Sequence, residues 1–307
     1  MIPIIVVVKL VKELGLIPYL AAPLEPVMKF VGLPAEMGLV WATALVSNIY
    51  GALIVFSTIV ADHPLTAAQA TVLGVMMLVG HNLPVEIKIA QATGSRVWFQ
   101  VFLRTAGAVA LGLVVSVTYR YLDIHQGPAA MLWQPPEALP PGLGWWALGE
   151  LRNLAMIFCT VTALMAFLRF LEAIRATHLI YKIIAPILRL IGIGPKASSL
   201  AVIGLTLGIA YGGGMLINEA RTGRMSGRDT FHTLSFLGIC HSVFEDSLLL
   251  ALIGAKFSGL LWGRIIFAII VIAILARITA RLSESSMQRW LWTKPERGEP
   301  EPLTAER

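Results

Sequence analysis

Apolar residues fill this chain in long blocks with no polar stripe along them. The pattern predicts helices over about 1–20, 36–61, 66–92, 97–122, 147–176, 197–221, 229–253 and 259–284. Most of these reach the roughly 20 residues that a helix needs to cross a bilayer. Two blocks carry a polar or glycine-rich centre. In 36–61 it is Ser47-Asn48-Ile49-Tyr50-Gly51, and in 197–221 it is Ala210-Tyr211-Gly212-Gly213-Gly214. Each reads either as one spanning helix or as a hairpin of two half-helices meeting at a tip. Mid-helix glycine costs about 1 kcal/mol against alanine, so three together suit a place where the backbone turns, meets a ligand or packs closely on another helix.

The pattern also occurs twice. Pro26–Ala108 and Pro186–Ala268 keep step without a gap at one constant offset. Pro26 meets Pro186, Lys29 meets Arg189, Gly32 meets Gly192, His81 meets His241, Glu86 meets Asp246, Gly94 meets Gly254 and Arg104 meets Arg264. The matches fall on glycine, proline, histidine and charge, which shared hydrophobicity would not produce. Internal duplication of membrane segments with polar residues at matched depth is a transporter signature.

Charge orients the copies. Arg189, Lys196, Arg221, Arg224 and Arg228 flank 197–221 on both sides, so both its ends face the cytoplasm as a hairpin. Glu25, Lys29, Glu36, Asp62 and His63 leave both ends of 36–61 free to face outward. Three crossings separate the two blocks, and an odd number inverts the second copy; spanning helices would instead make the copies parallel. Lys88 and Arg96 fall inside, the Pro/Trp-rich stretch outside, and Arg277, Arg281 and Arg289 near an inside C-terminus. The expected architecture is an all-α polytopic protein of the cell inner (cytoplasmic) membrane. It has two inverted repeats, each with a re-entrant hairpin and a broken transmembrane helix. The divisions are 1–122 for the first repeat and 123–146 for an outer linker containing Trp133. The second repeat with its leading helix is 147–284, and a polar tail is 285–307, disordered from Lys294 onward. Residues 1–8 have no basic region before them and no cleavage site after, so they open the first helix.

Composition agrees: 57% hydrophobic and 14% charged residues, with mean hydropathy +0.76, exclude an ordinary soluble domain. The net charge of +6 sits at the ends of apolar blocks, which fits a membrane better than nucleic acid. Cys159 and Cys240 lie in apolar blocks and promise no disulfide framework.

Candidate chemistry gathers at Gly80-His81-Asn82-Leu83-Pro84-Val85-Glu86 and its counterpart Cys240-His241-Ser242-Val243-Phe244-Glu245-Asp246. Pro84 removes a helix hydrogen bond and is expected to disturb the preceding turn. Irregular backbone at membrane depth is tolerated only within protein or beside a wet cavity, and ionisable groups there are functional by default. Glu86 and Arg104 lie at equal distances either side of the turn at Ser95, hence at similar depth. Asp246 and Arg264 repeat this around Ala255, and both pairs are expected to be structural ion pairs. Glu245 faces Val85 in the alignment and so has no counterpart; it is the candidate coupling acid. The candidate solute ligands are Asn48, Tyr50, His81, Asn82, Gly212, Gly213, Gly214, His241 and Ser242. His81, His241 and Glu245 form a candidate metal set, since neutral imidazole ligates metals or relays protons. Asn218 and Glu219 lie toward the cytoplasmic mouth, Glu219 within reach of Arg221. His63, His125, His178 and His232 lie near segment ends and are expected to be solvated. Trp290 and Trp292 read as interface anchors.

The Gly80-His81-Asn82-Leu83-Pro84 string after an Asn/Gly hairpin resembles the Gate (nucleoside-recognition) domain. That domain is shared by concentrative nucleoside transporters, the membrane part of FeoB iron transporters and spore-maturation membrane proteins. The resemblance spans roughly 10–122 and 170–282. FeoB-type gates carry a Gly-Cys-Asn-Val-Pro-like string; His81 stands at its Cys, and Asn82 and Pro84 match. The second copy keeps His241 and Ser242 but has Phe244 for the proline. The likeness implies hairpins and broken helices around a central site.

No Walker loop, dinucleotide fingerprint, H-E-x-x-H or G-x-S-x-G occurs, so no enzyme is expected. The favoured reading is a secondary transporter for a small polar or cationic solute, a divalent metal or nucleoside-like compound included, coupled to protons or sodium. A non-transporting membrane partner of an enzyme or assembly complex stands as the alternative, as does a lipid-handling protein. The expected partners are membrane lipid and a small-molecule or ion substrate, with no nucleic acid; a compact fold of this kind also allows a homodimer.

Overall fold

A computed structural model describes residues 2–132, 142–173 and 176–295. Trp133 with the rest of 133–141, and residues 296–307 of the tail, lie outside the described residues.

The described chain is helical, with no strand and two isolated bridges, Thr66 to Pro128 and Ser95 to Trp292. The helices are α1 (Ile2–Glu13), α2 (Ile17–Ala21), α3 (Glu25–Val31), α4 (Met37–Val46), α5 (Ile49–Ile59), α6 (Ala67–Gly80), α7 (Leu83–Thr93) and α8 (Val97–Tyr121). There follow α9 (Leu143–Ala173), α10 (Ala176–Leu190), α11 (Pro195–Leu207), α12 (Ile209–Arg221), α13 (Gly227–Ile239), α14 (Glu245–Ala251), α15 (Arg264–Ala280) and α16 (Glu284–Trp290). A π-helical turn, Ser258–Gly263, leads into α15. Three stretches among the described residues are long and apolar enough to cross a membrane. They are Ala67–Thr93, taken through its break, Val97–Tyr121 and Ser258–Ala280. On α15, Ile266, Ile270, Ile274 and Ile278 form an exposed stripe at one-turn spacing, the surface a lipid-facing helix presents.

Local backbone events recur at the repeat offset. Left-handed residues appear at Gly32 and Gly192, Asn82 and Ser242, and Gly94 and Gly254. Helix caps recur at Thr66 and Ser226, whose hydroxyls accept from the backbone N–H of Gln69 and Asp229. The helices of each block part at Asn48 and at Gly208. A helix rises only about 1.5 Å per residue, so α4, α5, α11 and α12 are each too short to span a bilayer. Yet α4 packs on α5 and α11 on α12.

The second break differs from expectation. It lies at Gly208, with φ of +87°, while Gly212, Gly213 and Gly214 continue α12 as helix. A Cβ on Gly208 would come within 2.5 Å of Ser242 Oγ, and one on Gly212 within 2.6 Å of Gly204 Cα. Pro84 also behaves otherwise than expected: it occupies the first turn of α7, where proline costs no hydrogen bond. The break before it comes from the left-handed Asn82, which explains why the second copy breaks at Ser242 without a proline.

The chain forms two compact units. The first comprises Met1–Leu83, Thr105–Ala176 and Val243–Ile265; the second comprises Pro84–Arg104, Thr177–Ser242 and Ile266 onward. Each repeat therefore gives one segment to the unit built on the other, 84–104 in one direction and 243–265 in the other, at nearly matching positions of the two copies.

In the first unit α6 is buried on nearly every face, as an apolar helix without a polar stripe must be. Its N-terminus is closed by a capping box and by backbone bonds from Ala67 to Gly127 and Ala68 to His125. A Cβ on Gly259 would clash with Thr71, so the π-helical turn sits hard against α6, and Thr71 Oγ1 accepts from Lys256 N–H at 2.9 Å. In the second unit α13 is the buried helix, and Phe231 packs with Met287 and Leu291 from α16 and its end. The start of the polar tail is thus an ordered helix. The segment beyond it seals the α7–α8 turn: Thr293 N–H donates to Gly94 O at 2.7 Å and Trp292 Nε1 to Thr93 O at 2.9 Å.

Candidate functional site

Both breaks are built alike. At the end of α6, His81 turns its imidazole back and Nδ1 meets Met77 O and Leu78 O, each at 3.1 Å. At the end of α13, His241 Nδ1 meets Leu237 O at 2.7 Å. A carbonyl oxygen only accepts, so Nδ1 carries the proton in each ring and Nε2 keeps its lone pair when the ring is neutral. Both rings are buried. The next residue is left-handed and docks on the nearby hairpin. Asn82 N–H donates to Ala44 O at 2.9 Å, and Ser242 N–H to Gly204 O at a weaker 3.4 Å. Donor and acceptor again match at the repeat offset.

Within the first unit, Asn48 caps α5, its Oδ1 accepting from Gly51 N–H at 2.9 Å. Tyr50, in the first turn of that helix, lies beside the Glu245 carboxylate, with Asp246 also near. The hairpin tip and the unmatched acid are thereby brought together. Glu245 and Asp246 occupy the first turn of α14, where the helix N-terminus favours negative charge. Asp246 is buried, as is Arg264 at the base of α15, both in this unit. Trp41 Nε1 donates to Met76 O at 3.2 Å and ties α4 to α6 just before the break.

Within the second unit, Glu86 and Arg104 are 5% and 1% exposed, with Arg104 Nη1 3.2 Å from Glu86 Oε1. The expected ion pair is present. It is also larger than a pair: Arg104 Nε donates to Gly238 O at 2.9 Å, and His241 Nε2 lies 3.8 Å from Glu86 Oε1. Pro84's helix, α8 and the second break thus share one buried charge cluster. Gly212 is consumed in packing, Gly213 lies against Ile89, and Gly214 faces open space.

Several sequence expectations are corrected. His232 is buried, not solvated, with Nε2 at 2.8 Å from Thr279 Oγ1. Glu219 pairs with Lys196 and with Arg224, not Arg221. Trp292 packs within the second unit, while Trp290 is exposed. His63 lies 3.6 Å from Glu36, and His125 stacks edge-on with Tyr119. The His178 side chain lies outside the described residues. The buried Gln100 to Ser235 bond, at 3.1 Å, joins polar residues that sequence reading passed over. Their only signal was polar identity inside apolar blocks.

Comparison with known proteins adds a whole-length relative. The chain is 25% identical over 295 residues to a protein named "Uncharacterized membrane protein YvoD" from Bacillus subtilis (strain 168). The match covers 93% of this chain and 91% of that one. No family profile and no solved structure matches the sequence.

Proposed function

We propose that this membrane protein is a secondary transporter for a small polar or cationic solute. The single observation that carries the reading is the twofold helix break. A buried histidine with Nδ1 pinned to the preceding turn, then a left-handed residue hydrogen-bonded to a hairpin, occurs once per repeat. Structure interrupted in this way at matched places is how transporters expose backbone and side-chain ligands within a membrane. In this reading α4–α5 and α11–α12 are re-entrant hairpins, the repeats are inverted, and the C-terminus is cytoplasmic. Polar solute ligands are offered at the broken centre of each unit, Asn48, Tyr50 and Asn82 in the first and Ser242 in the second. Glu245, beside Tyr50, is the coupling carboxylate. The Glu86–Arg104 pair is structural support beside His241.

A divalent transition metal fits as cargo because both rings keep Nε2 unprotonated when neutral, the form that ligates metal. A Gate-type ancestry fits the same breaks. Flux of labelled solutes and of divalent metals into proteoliposomes, under imposed proton or sodium gradients, tests the reading. Gradient-driven uptake that falls in Glu245→Gln supports it. No flux for any solute, with a stably co-purifying protein partner, favours the alternative of a membrane subunit for another enzyme or assembly.

A further inference from the structure

A cavity lies away from the breaks, wholly in the first unit. It has a volume of about 390 Å³ and lies between α1, α5 and α9. Helical spacing builds it: Ile5, Lys9, Lys12 and Glu13 share a face of α1. Ile54, Ser57, Thr58 and Ala61 come from α5 and its end, and Trp146 and Glu150 share a face of α9. Both lysines are already matched. Lys9 Nζ sits 2.6 Å from Glu13 and 4.6 Å from the Trp146 ring centre, and Lys12 Nζ sits 3.0 Å from Asp62 and 3.1 Å from Thr58 O.

What remains is an excess of acceptors. Glu150 Oε2 is buried and has no hydrogen-bond partner among the described residues. The hydroxyl hydrogens of Ser57 and Thr58 are both spent on Ile54 O, at 2.8 and 3.0 Å, so those oxygens can only accept. Each lysine is paired with a carboxylate other than Glu150, Lys9 with Glu13 and Lys12 with Asp62, which leaves Glu150 without a counter-ion among the described residues. The donor that Glu150 Oε2 lacks therefore has to come from a bound group. A primary ammonium brings one positive charge and three N–H donors.

We infer that this cavity binds a primary ammonium group, with Glu150 as its counter-ion. The group comes from an aminophospholipid headgroup or from a free amine solute. Ile5, Ile54 and Ala61 supply an apolar wall for the attached carbon chain, and Trp146 is the aromatic found where membrane proteins meet headgroups.

The test uses the full-length chain in detergent, with native mass spectrometry and thermal unfolding. The probes are phosphatidylethanolamine, phosphatidylcholine, phosphatidylglycerol and free ethanolamine. A charge-assisted hydrogen bond of this kind makes phosphatidylethanolamine retained about tenfold over phosphatidylglycerol. Phosphatidylcholine, which lacks N–H donors, falls below phosphatidylethanolamine. Glu150→Gln removes the preference while keeping the fold, because it takes away a buried charge; Trp146→Leu serves as a second variant expected to weaken retention. Stabilisation by ethanolamine as well as the lipid identifies the bare amine as sufficient, and stabilisation by the lipid alone identifies the headgroup source. Equal retention of all probes, or a preference unchanged in Glu150→Gln, overturns the inference.

Discussion

Neutralising Glu86 tests the logic of the buried cluster. In Glu86→Gln the Arg104 guanidinium stays charged, held by Gly238 O and only 1% exposed, with its carboxylate gone. Breaking a buried pair by removing one partner costs about 3–5 kcal/mol. At 3.2 Å and with both partners almost fully enclosed, this pair belongs at that end of the scale rather than with surface pairs worth under about 1 kcal/mol. Arg104→Gln should cost less, because His241 Nε2 stands 3.8 Å from the same carboxylate oxygen and can supply positive charge in its place. The double variant Glu86→Gln/Arg104→Gln should recover much of the loss, giving a coupling of about 2 kcal/mol or more. Reversible unfolding in mixed micelles, run as a full cycle, measures this directly. A coupling below about 0.5 kcal/mol would mean that the two charges do not depend on each other.

Further outcomes follow from other places in the fold. Gly208→Ala should destabilise by at least about 1–3 kcal/mol, because φ of +87° and the 2.5 Å approach to Ser242 Oγ both forbid a Cβ. Gly214→Ala, with no atom within 4 Å of its added Cβ, should be neutral or stabilise by up to about 1 kcal/mol; thermal unfolding separates the two. Tyr50→Phe should lower flux less than Glu245→Gln, since it removes a hydroxyl beside the carboxylate but not the acid; equal losses in initial-rate assays would count against Glu245 as the coupling group. Trp292→Ala should speed hydrogen exchange at the α7–α8 turn around Gly94, which the Trp292 and Thr293 bonds hold. His81→Ala and His241→Ala should lose transport while staying folded, and unfolding of both would place the site elsewhere.

Some of this was legible in the chain itself. The constant offset between the copies was legible, and the structure carries it further into matching caps, left-handed residues and docking bonds that the sequence reading did not expect. Glu86 and Arg104 could be paired from their equal distance to a turn, a purely geometric inference. Asn48 marked its own break, since a short polar side chain before an apolar run caps a helix. Gly212–Gly214 left turning and packing both open, because glycine serves either, and the close approach of Gly212 to Gly204 is what decides for packing there. Pro84 misled because its effect depends on which turn of a helix it occupies. His232 found Thr279 from far along the chain, and no local pattern announces such a partner. Nor could a linear reading have found that 84–104 and 243–265 each join the unit built on the other repeat.

Inversion is the claim on which the transporter reading turns, and side-specific labelling reads it out. With the exposed Cys159 replaced by serine and the buried Cys240 left as the background, cysteines are placed one at a time at the exposed positions Lys29, Asp62, Lys196 and Arg224 and probed in right-side-out membranes with an impermeant maleimide. The account predicts labelling of Lys29→Cys and Asp62→Cys from outside, and of Lys196→Cys and Arg224→Cys only after the membrane is opened. Lys29 and Asp62 on opposite faces, or Asp62 and Arg224 on the same one, would contradict it.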